Sequence, residues 1–293
     1  MNGPKLHHYV PRFHLKRFAD NTGKLWVWDK ERDTIFRAAP ERMAAQTHFY
    51  RLPDLATAGH DPLMLEKQFA SLEGDVAQIT AHWLDSLRQM KPLCQLRVSG
   101  DERALVSEHI ATQFLRTADT RDTYGAYLEE IEGEPPMSER DLQAAHAELI
   151  WDPAVSQYFT ERWAESSWLF ARNPTGTPFK TSDNPIAFRS QDNRRWHKVG
   201  IDLPGSYAVF PLAPDVILYC YPREEAYEPL RKWDCHTSPV RLDLGMVESE
   251  NCGQVFMASR FVFACNDDFE KERAFLKTIG TDIYAPKSGA SDG

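Results

Sequence analysis

The stretch His7-His8-Tyr9-Val10-Pro11, continued by Arg12-Phe13-His14-Leu15-Lys16-Arg17-Phe18, lies almost at the N-terminus of a 293-residue chain. It combines two adjacent histidines with a proline and several large apolar side chains. A terminal segment this apolar is predicted to dock into the body of the protein, because a solvated tail gains nothing from such residues. The histidines indicate a polar pocket in which chemistry can take place.

The residues around this stretch predict its local structure. Pro11 suits the first turn of a helix, which ends near Ala19. Residues 20–23 are a turn signal, and the strand 24–30 is predicted to pair with residues 34–37 as a hairpin. Residues 40–50 are predicted to form a short helix and then an extended piece.

The middle of the chain, from about residue 62 to 165, has helical periodicity. A helix opened by Pro62 carries apolar residues at intervals of three and four. They are Leu65, Phe69, Leu72, Val76, Ile79, Trp83 and Leu87. A second helix, capped at Gly100-Asp101, is expected to reach about Thr117. After the break at Pro135-Pro136, a helix is expected to restart at Ser138 and to continue toward Trp163 and Phe170.

The pattern then changes to that of strands. Residues 178–188, 208–211 and 216–221 have strand composition, with turns at 183–185 and 213–215. A helical pattern is predicted again for residues 243–265. The sequence therefore predicts an α+β fold, with one domain at residues 1–286, a helical middle and a small, mostly antiparallel sheet. Residues 287–293 are predicted to be a disordered tail.

The composition limits the classes of function. The net charge of −9 argues against a wide basic surface for duplex binding, but not against a local basic groove. Five scattered cysteines without a Cys-x-x-Cys pair argue against a zinc ribbon or a disulfide framework and favour reduced thiols. No signal peptide or membrane span is predicted, so a cytoplasmic location without membrane contact is expected.

The histidine pair is the first candidate site. Successive side chains of a strand point to opposite faces, so His7 and His8 cannot share one environment. One ring is expected to face a pocket as a general base or metal ligand. In the alternative interpretation, both rings anchor the N-terminus to backbone carbonyls.

The second candidate is the turn Thr181-Ser182-Asp183-Asn184-Pro185, where a strand ends in small polar residues. In the functional interpretation, Asp183 binds a metal or orients a histidine, while Ser182 and Asn184 contact substrate. Ser182 acts as a nucleophile only with a base nearby, and no Gly-x-Ser-x-Gly motif surrounds it. In the structural interpretation, Asp and Asn side chains bond their own backbone, as they often do in turns.

Two further groups complete the candidate site. His109, Gln113 and Arg116 fall within a narrow arc of one helix, and Arg121 follows. Arginine suits recognition of phosphate or carboxylate, although such a stripe is also typical of a solvated helix face. Asn251, amid apolar residues, is either a pocket residue or a buried hydrogen-bond node.

These stretches resemble the bacterial domain-of-unknown-function family 4238, whose members open with a His-His-Tyr-Val-Pro-like motif and a Phe-x-Leu-like continuation. The opening motif and the Ser182-Asp183-Asn184-Pro185 turn carry the resemblance most specifically. Weaker matches are residues 24–30, Arg116 with Arg121, residues 210–214 and Asn251. The resemblance spans nearly the whole chain and implies one domain, but it implies no activity, cofactor or substrate.

A narrower resemblance concerns chemistry. His7-His8-x-x-Pro11 is similar to the histidine strand of His-Asn-His nucleases, in which one residue binds the metal and a histidine activates water. This chain departs from that pattern after Pro11, where a turn of helix is predicted, and it has no clear Asn and His pair at the expected spacing.

We therefore expect a metal-assisted phosphodiester hydrolase that resembles a nuclease. In this hypothesis His8 is the general base, His7 and Asp183 bind a divalent metal such as Mg²⁺ or Mn²⁺, and Arg116 holds a phosphate oxygen. Nucleic acid or a nucleotide is the expected partner. The alternatives are a non-catalytic module that binds a small anion or a protein through the same pocket, and a purely structural polar lattice. The oligomeric state is left open.

Overall fold

The computed structural model describes residues 6–47, 64–130, 135, 137–198 and 200–279. Their elements form an α+β fold with a helical middle, which confirms the predicted fold class. The predicted helix start at Pro62, the end of the extended piece at Tyr50, and the tail 287–293 with its boundary at residue 286 lie outside the described residues.

The N-terminal part alternates short strands and helical turns. The elements are β1 (Leu6–His8), α1 (Arg12–Arg17), β2 (Leu25–Asp29), β3 (Thr34–Ala38), a 3-10 turn (Pro40–Arg42) and β4 (Ala45–Thr47). The predicted hairpin is present, because β2 and β3 pair in antiparallel register from Leu25–Ala38 to Asp29–Thr34. Pro11 caps α1 rather than lying inside it.

The helical middle agrees with the predicted periodicity. It contains α2 (Met64–Gln89), α3 (Gly100–Leu115), α4 (Ala118–Glu130), α5 (Glu139–Trp151) and α6 (Pro153–Glu165). Ser99 and Glu102 form a capping box at the start of α3, in which each side chain accepts the backbone N–H of the other. Ser138 caps α5, at the predicted restart.

The C-terminal part supplies most of the strands. They are β5 (Ser167–Arg172), β6 (Thr181–Ser182), β7 (Ala187–Arg189), β8 (Trp196–His197), β9 (Tyr207–Ala213), β10 (Val216–Tyr221), β11 (His236–Thr237) and β12 (Phe261–Ala264). A 3-10 helix (Glu225–Trp233), α7 (Leu244–Met257) and α8 (Glu270–Ile279) complete the described part.

Within the described residues the strands form three sheets, which are mostly antiparallel as predicted. A six-stranded sheet has the order β11-β5-β10-β9-β7-β8, a four-stranded sheet has the order β3-β2-β12-β6, and β1 pairs with β4. Neighbouring strands are antiparallel except for β11 and β5. The turn at Asp183-Asn184-Pro185 thus carries the chain from the four-stranded sheet to the six-stranded one.

Two boundaries were wrong in the sequence analysis. The helix predicted to run toward Phe170 ends at Glu165, and Phe170 lies in β5. The helix predicted for residues 243–265 ends at Met257, and residues 261–264 form the buried strand β12. Both errors have one cause, since a continuous apolar run fits a buried strand as well as a buried helix.

The N-terminal segment is part of the core, as predicted. Val10, Leu15 and Phe18 are fully buried and belong to the main hydrophobic cluster with residues from the helices and the six-stranded sheet. Within the described residues, no helix is long and apolar enough to cross a membrane.

Candidate functional site

The two adjacent histidines occupy different environments, as strand alternation predicted. His7 is completely buried, whereas His8 is partly exposed. The His8 Nε2 atom lies 3.1 Å from the carbonyl oxygen of Glu41. Because a carbonyl oxygen only accepts, Nε2 carries the hydrogen, and Nδ1 of the neutral ring is left with an available lone pair.

The surroundings of His8 favour its neutral form. Burial lowers the pKa of His8, nearby Arg12 and Arg116 lower it further, and the Glu41 carbonyl opposes them. An imidazole that stays neutral at neutral pH and keeps Nδ1 available has the properties of a general base.

A chain of hydrogen bonds connects the N-terminal motif to the predicted polar stripe of α3. Gln113 Nε2 donates to the Tyr9 carbonyl at 2.9 Å, and the Gln113 oxygen accepts from Arg116 at 3.2 Å. Arg116 also donates to the carboxylate of Glu73 at 2.7 Å. The structure thus brings together three predicted residues, namely His8, Gln113 and Arg116.

Arg116 differs from the prediction in its accessibility. Its side chain is only 1% exposed, and its guanidinium lies over the ring of Phe69 at 5.3 Å. A group buried in this way positions Glu73 rather than receiving a phosphate from solvent. Arg12, four residues after His8, is an exposed cation near its ring.

Two glutamates that the sequence analysis missed complete this group. Glu66 and Glu73 are seven residues apart on α2, so they lie on one face of that helix. Burial raises the pKa of Glu66 to about 7, with Glu73 adding to the rise while Arg116 and Arg12 oppose it. Glu73 is instead held in its ion pair with Arg116. We call His8, Arg12, Glu66, Glu73 and Arg116 the His8 cluster.

Asp183 has a different role from the one that the functional interpretation predicted. Its carboxylate is 3% exposed and accepts the backbone N–H groups of Ser259, Arg260 and Phe261 at 2.8–2.9 Å. Burial raises the pKa of Asp183, while these N–H groups stabilise its charged form. The side chain thereby holds the turn between α7 and β12, rather than the backbone of its own turn that the structural interpretation predicted.

The neighbours of Asp183 also bond within the protein. Ser182 Oγ donates to the carbonyl of Asn184 at 2.7 Å, so its proton is not directed at a base. Asn184 Nδ2 donates to Asp119, whose other oxygen accepts from the buried ammonium of Lys198 at 2.7 Å. This buried Asp119–Lys198 pair was not predicted, because its members are remote in sequence.

The remaining predicted residues are buried elsewhere. Asn251 is a hydrogen-bond node, since its oxygen accepts from the Lys180 N–H at 2.8 Å and its amide donates to the Pro178 carbonyl at 3.1 Å. Arg121 donates to Nδ1 of His146 at 3.3 Å. The ring of His109 packs against Phe13 at 5.5 Å, and burial holds the pKa of His109 well below its usual value.

We expected His7 or His8 to lie close to the Ser182–Asn184 turn, and the N-terminal contacts to this region come from His14 and Tyr9. His14 Nε2 lies 2.9 Å from Thr181 Oγ1, and its ring stacks on Phe210. Burial and the proximity of Asp183 raise the pKa of the Tyr9 phenol. One short segment therefore supports both candidate regions.

The metal predicted at His7 and Asp183 gains no support from this geometry. Within the described residues, no three His, Cys, Asp or Glu side chains are grouped so that they could hold a metal ion. The oxygens of Asp183 already accept backbone N–H groups.

Comparison with known proteins places the chain in a family. No curated protein and no solved structure matches it. The profile of the family described as "Protein of unknown function (DUF4238)" matches residues 6–268. Because this match covers most of the chain and agrees with the resemblance noted in its motifs, the protein belongs to the DUF4238 family.

Proposed function

We propose that the protein is a phosphodiester hydrolase that uses general acid–base catalysis at the His8 cluster. The observation that carries the proposal is the hydrogen-bond chain from the Tyr9 carbonyl through Gln113 and Arg116 to Glu73. These hydrogen bonds hold the carboxylate of Glu73 and the guanidinium of Arg116 close to His8, whose Nδ1 atom is available. A base, an acid and a cation at one surface are what hydrolysis of a diester needs.

The roles follow from the environment of each group. His8 Nδ1 takes a proton from the attacking water, while its Nε2–H is held by the Glu41 carbonyl. Glu66, whose pKa is raised to about 7 by burial, donates a proton to the leaving oxygen. Arg12 is exposed and stabilises the negative charge that develops on phosphorus oxygens. Arg116 acts as a positioning residue, because it is buried against Glu73.

The substrate class remains nucleic acid or a nucleotide under this proposal. The proposal assigns no role to a divalent metal, because the geometry does not support His7 and Asp183 as its ligands. Whether activity depends on a metal is tested in the assay. Chain ends or loops of single-stranded nucleic acid suit a protein with a net charge of −9 better than a long duplex.

The test is cleavage of single- and double-stranded DNA and RNA and of a small chromogenic diester, with Mg²⁺, with Mn²⁺ and with chelator. His8→Ala should lower the rate by about 10²–10⁴-fold while leaving the fold intact, because it removes the base from a partly exposed site. His82→Ala is the matched control, since His82 is an exposed histidine of α2.

Each outcome has a definite meaning. If His8→Ala cleaves as well as the unaltered protein, the assignment of the base is wrong. If the unaltered protein cleaves no substrate under any of these conditions, the hydrolase proposal fails. A non-catalytic module that binds an anion or a protein through the same cluster then becomes the better description.

A further inference from the structure

A large cleft of the described part lies away from the His8 cluster and has arginine-rich walls. It has a volume of about 910 Å³. Its walls come from the segment before α3, the junction of α6 and β5, the residues after β10, and the end of the second 3-10 helix. A volume of this size lies in the upper part of the ~300–1,000 Å³ range typical of small-molecule sites.

The charge of this cleft is opposite to that of the whole protein. Its lining contains four arginines but only two acidic residues, in a chain whose net charge is −9. The arginines are Arg97, Arg103, Arg223 and Arg231, and the acids are Glu165 and Asp234. Like charges that converge from separate elements repel one another unless an anion lies between them.

Arg103 and Asp234 form a rigid wall. Arg103 donates to the Ala164 carbonyl at 2.7 Å, to the Ser166 carbonyl, and to Asp234 at 2.9 Å. Its guanidinium lies over the ring of Trp168 at 4.4 Å. Asp234 also accepts the Trp168 N–H at 2.8 Å. The charge of Asp234 is therefore balanced within the wall, and it does not neutralise the other arginines.

The other three arginines are exposed and weakly paired. Within the described residues, Arg97 has no hydrogen bond or ion pair. Arg223 Nε donates to the Glu165 carbonyl at 3.0 Å, its Nη1 atom lies 4.0 Å from the Glu165 carboxylate, and the side chains of both are more than half exposed. Arg231 pairs with Glu228, three residues earlier on its own 3-10 helix. Exposed pairs of this kind contribute little, so these guanidiniums can change partner readily.

We propose that this cleft binds a small molecule that carries two or more adjacent phosphate groups. The planar fork of arginine makes paired hydrogen bonds to phosphate oxygens, and several forks around one cleft fit several phosphates. No aromatic ring lines the cleft in the described part, so the phosphates rather than a stacked base supply the recognition. The negative charge of the rest of the protein disfavours a long polyanion.

The test is calorimetric titration of the full chain with tripolyphosphate, at low and at high salt. The unaltered protein should bind one equivalent, and binding should weaken as salt increases. Replacing two exposed arginines, Arg97→Ala with Arg223→Ala, should weaken binding about tenfold or more, because charged hydrogen bonds are lost. The melting temperature should change little, because both side chains are exposed.

The matched control replaces two exposed arginines that do not line the cleft, Arg32→Ala with Arg140→Ala. It changes the net charge equally, so equal weakening in both double variants would overturn the proposal. Sulfate that binds as tightly as tripolyphosphate would also overturn it, as would tighter binding of a single-stranded phosphorothioate oligonucleotide. His8→Ala should leave tripolyphosphate binding unchanged, which separates this site from the proposed hydrolytic one.

Discussion

The Ser182–Asn184 turn and the His8 cluster are both rich in polar side chains, yet they direct these groups differently. In the turn, the Asp183 carboxylate accepts three backbone N–H groups and Ser182 donates to a backbone carbonyl. In the His8 cluster, by contrast, His8 and Glu66 are both partly exposed, and the contact of His8 with the Glu41 carbonyl is made through Nε2 and not Nδ1. A polar motif therefore indicates a catalytic or binding site only where its side chains are not already hydrogen-bonded to backbone groups.

The strongest test of this comparison removes the segment that both regions share. Deleting residues 1–18 removes Val10, Leu15 and Phe18, which are fully buried, and each contributes about 2 kcal/mol. It also removes the Gln113–Tyr9 and His14–Thr181 hydrogen bonds. The sum rivals the ~5–15 kcal/mol stability of a whole domain, so no cooperative unfolding transition should remain in urea.

A shorter deletion of residues 1–5 is the control for this experiment, because it leaves every contact described above in place. If the longer deletion melts at the same temperature as the full chain, the segment is not part of the core, and neither region depends on it.

The second prediction concerns the turn alone. Asp183→Asn should destabilise the protein by about 3 kcal/mol, because the new amide donor faces backbone N–H groups that then lack an acceptor. Urea unfolding of this variant measures the effect. Asp192→Asn is the control, since Asp192 is an exposed loop carboxylate that accepts from Ser190 and the Arg194 N–H. A stable Asp183→Asn protein that loses only phosphodiester cleavage would instead restore Asp183 to the catalytic site.

Local patterns predicted much of the fold. The hairpin of β2 and β3 was predicted from two short runs of strand composition that follow a turn signal at residues 20–23, and the start of α5 was predicted from Ser138 after two prolines. The strand β12 could not be found in this way. Its sequence is apolar throughout, and side chains on both faces are buried, Phe263 in the main hydrophobic cluster and Val262 and Ala264 in a second one.

The candidate site was also predicted only in part, because some of its residues form no recognisable local pattern. His8, Gln113 and Arg116 carried recognisable residue types, and the structure brings them together. Nothing in the sequence marks Glu66 and Glu73 as site residues, because acidic residues on one face of a long helix are usual for a solvated surface. The partners of Asp183 are also invisible in the sequence, since they are backbone groups 76 or more residues away.

The last prediction tests whether Glu66 is the acid of the His8 cluster. Activity needs a neutral His8 and a protonated Glu66. Burial lowers the pKa of His8 below its usual 6.5 and raises that of Glu66 to about 7. The value of kcat/KM for a small diester should therefore rise with pH through the lowered pKa of His8 and fall above about pH 7, with a mildly acidic optimum.

Glu66→Gln should lower the maximum rate, because an amide is a poor acid, and it should also abolish the fall at high pH, because an amide does not titrate. Glu148→Gln, at an exposed position of α5, should preserve both limbs of the profile. If the high-pH limb persists in Glu66→Gln, another group donates the proton. Of the two catalytic groups assigned to the His8 cluster, His8 alone would then distinguish this cluster from the Ser182–Asn184 turn.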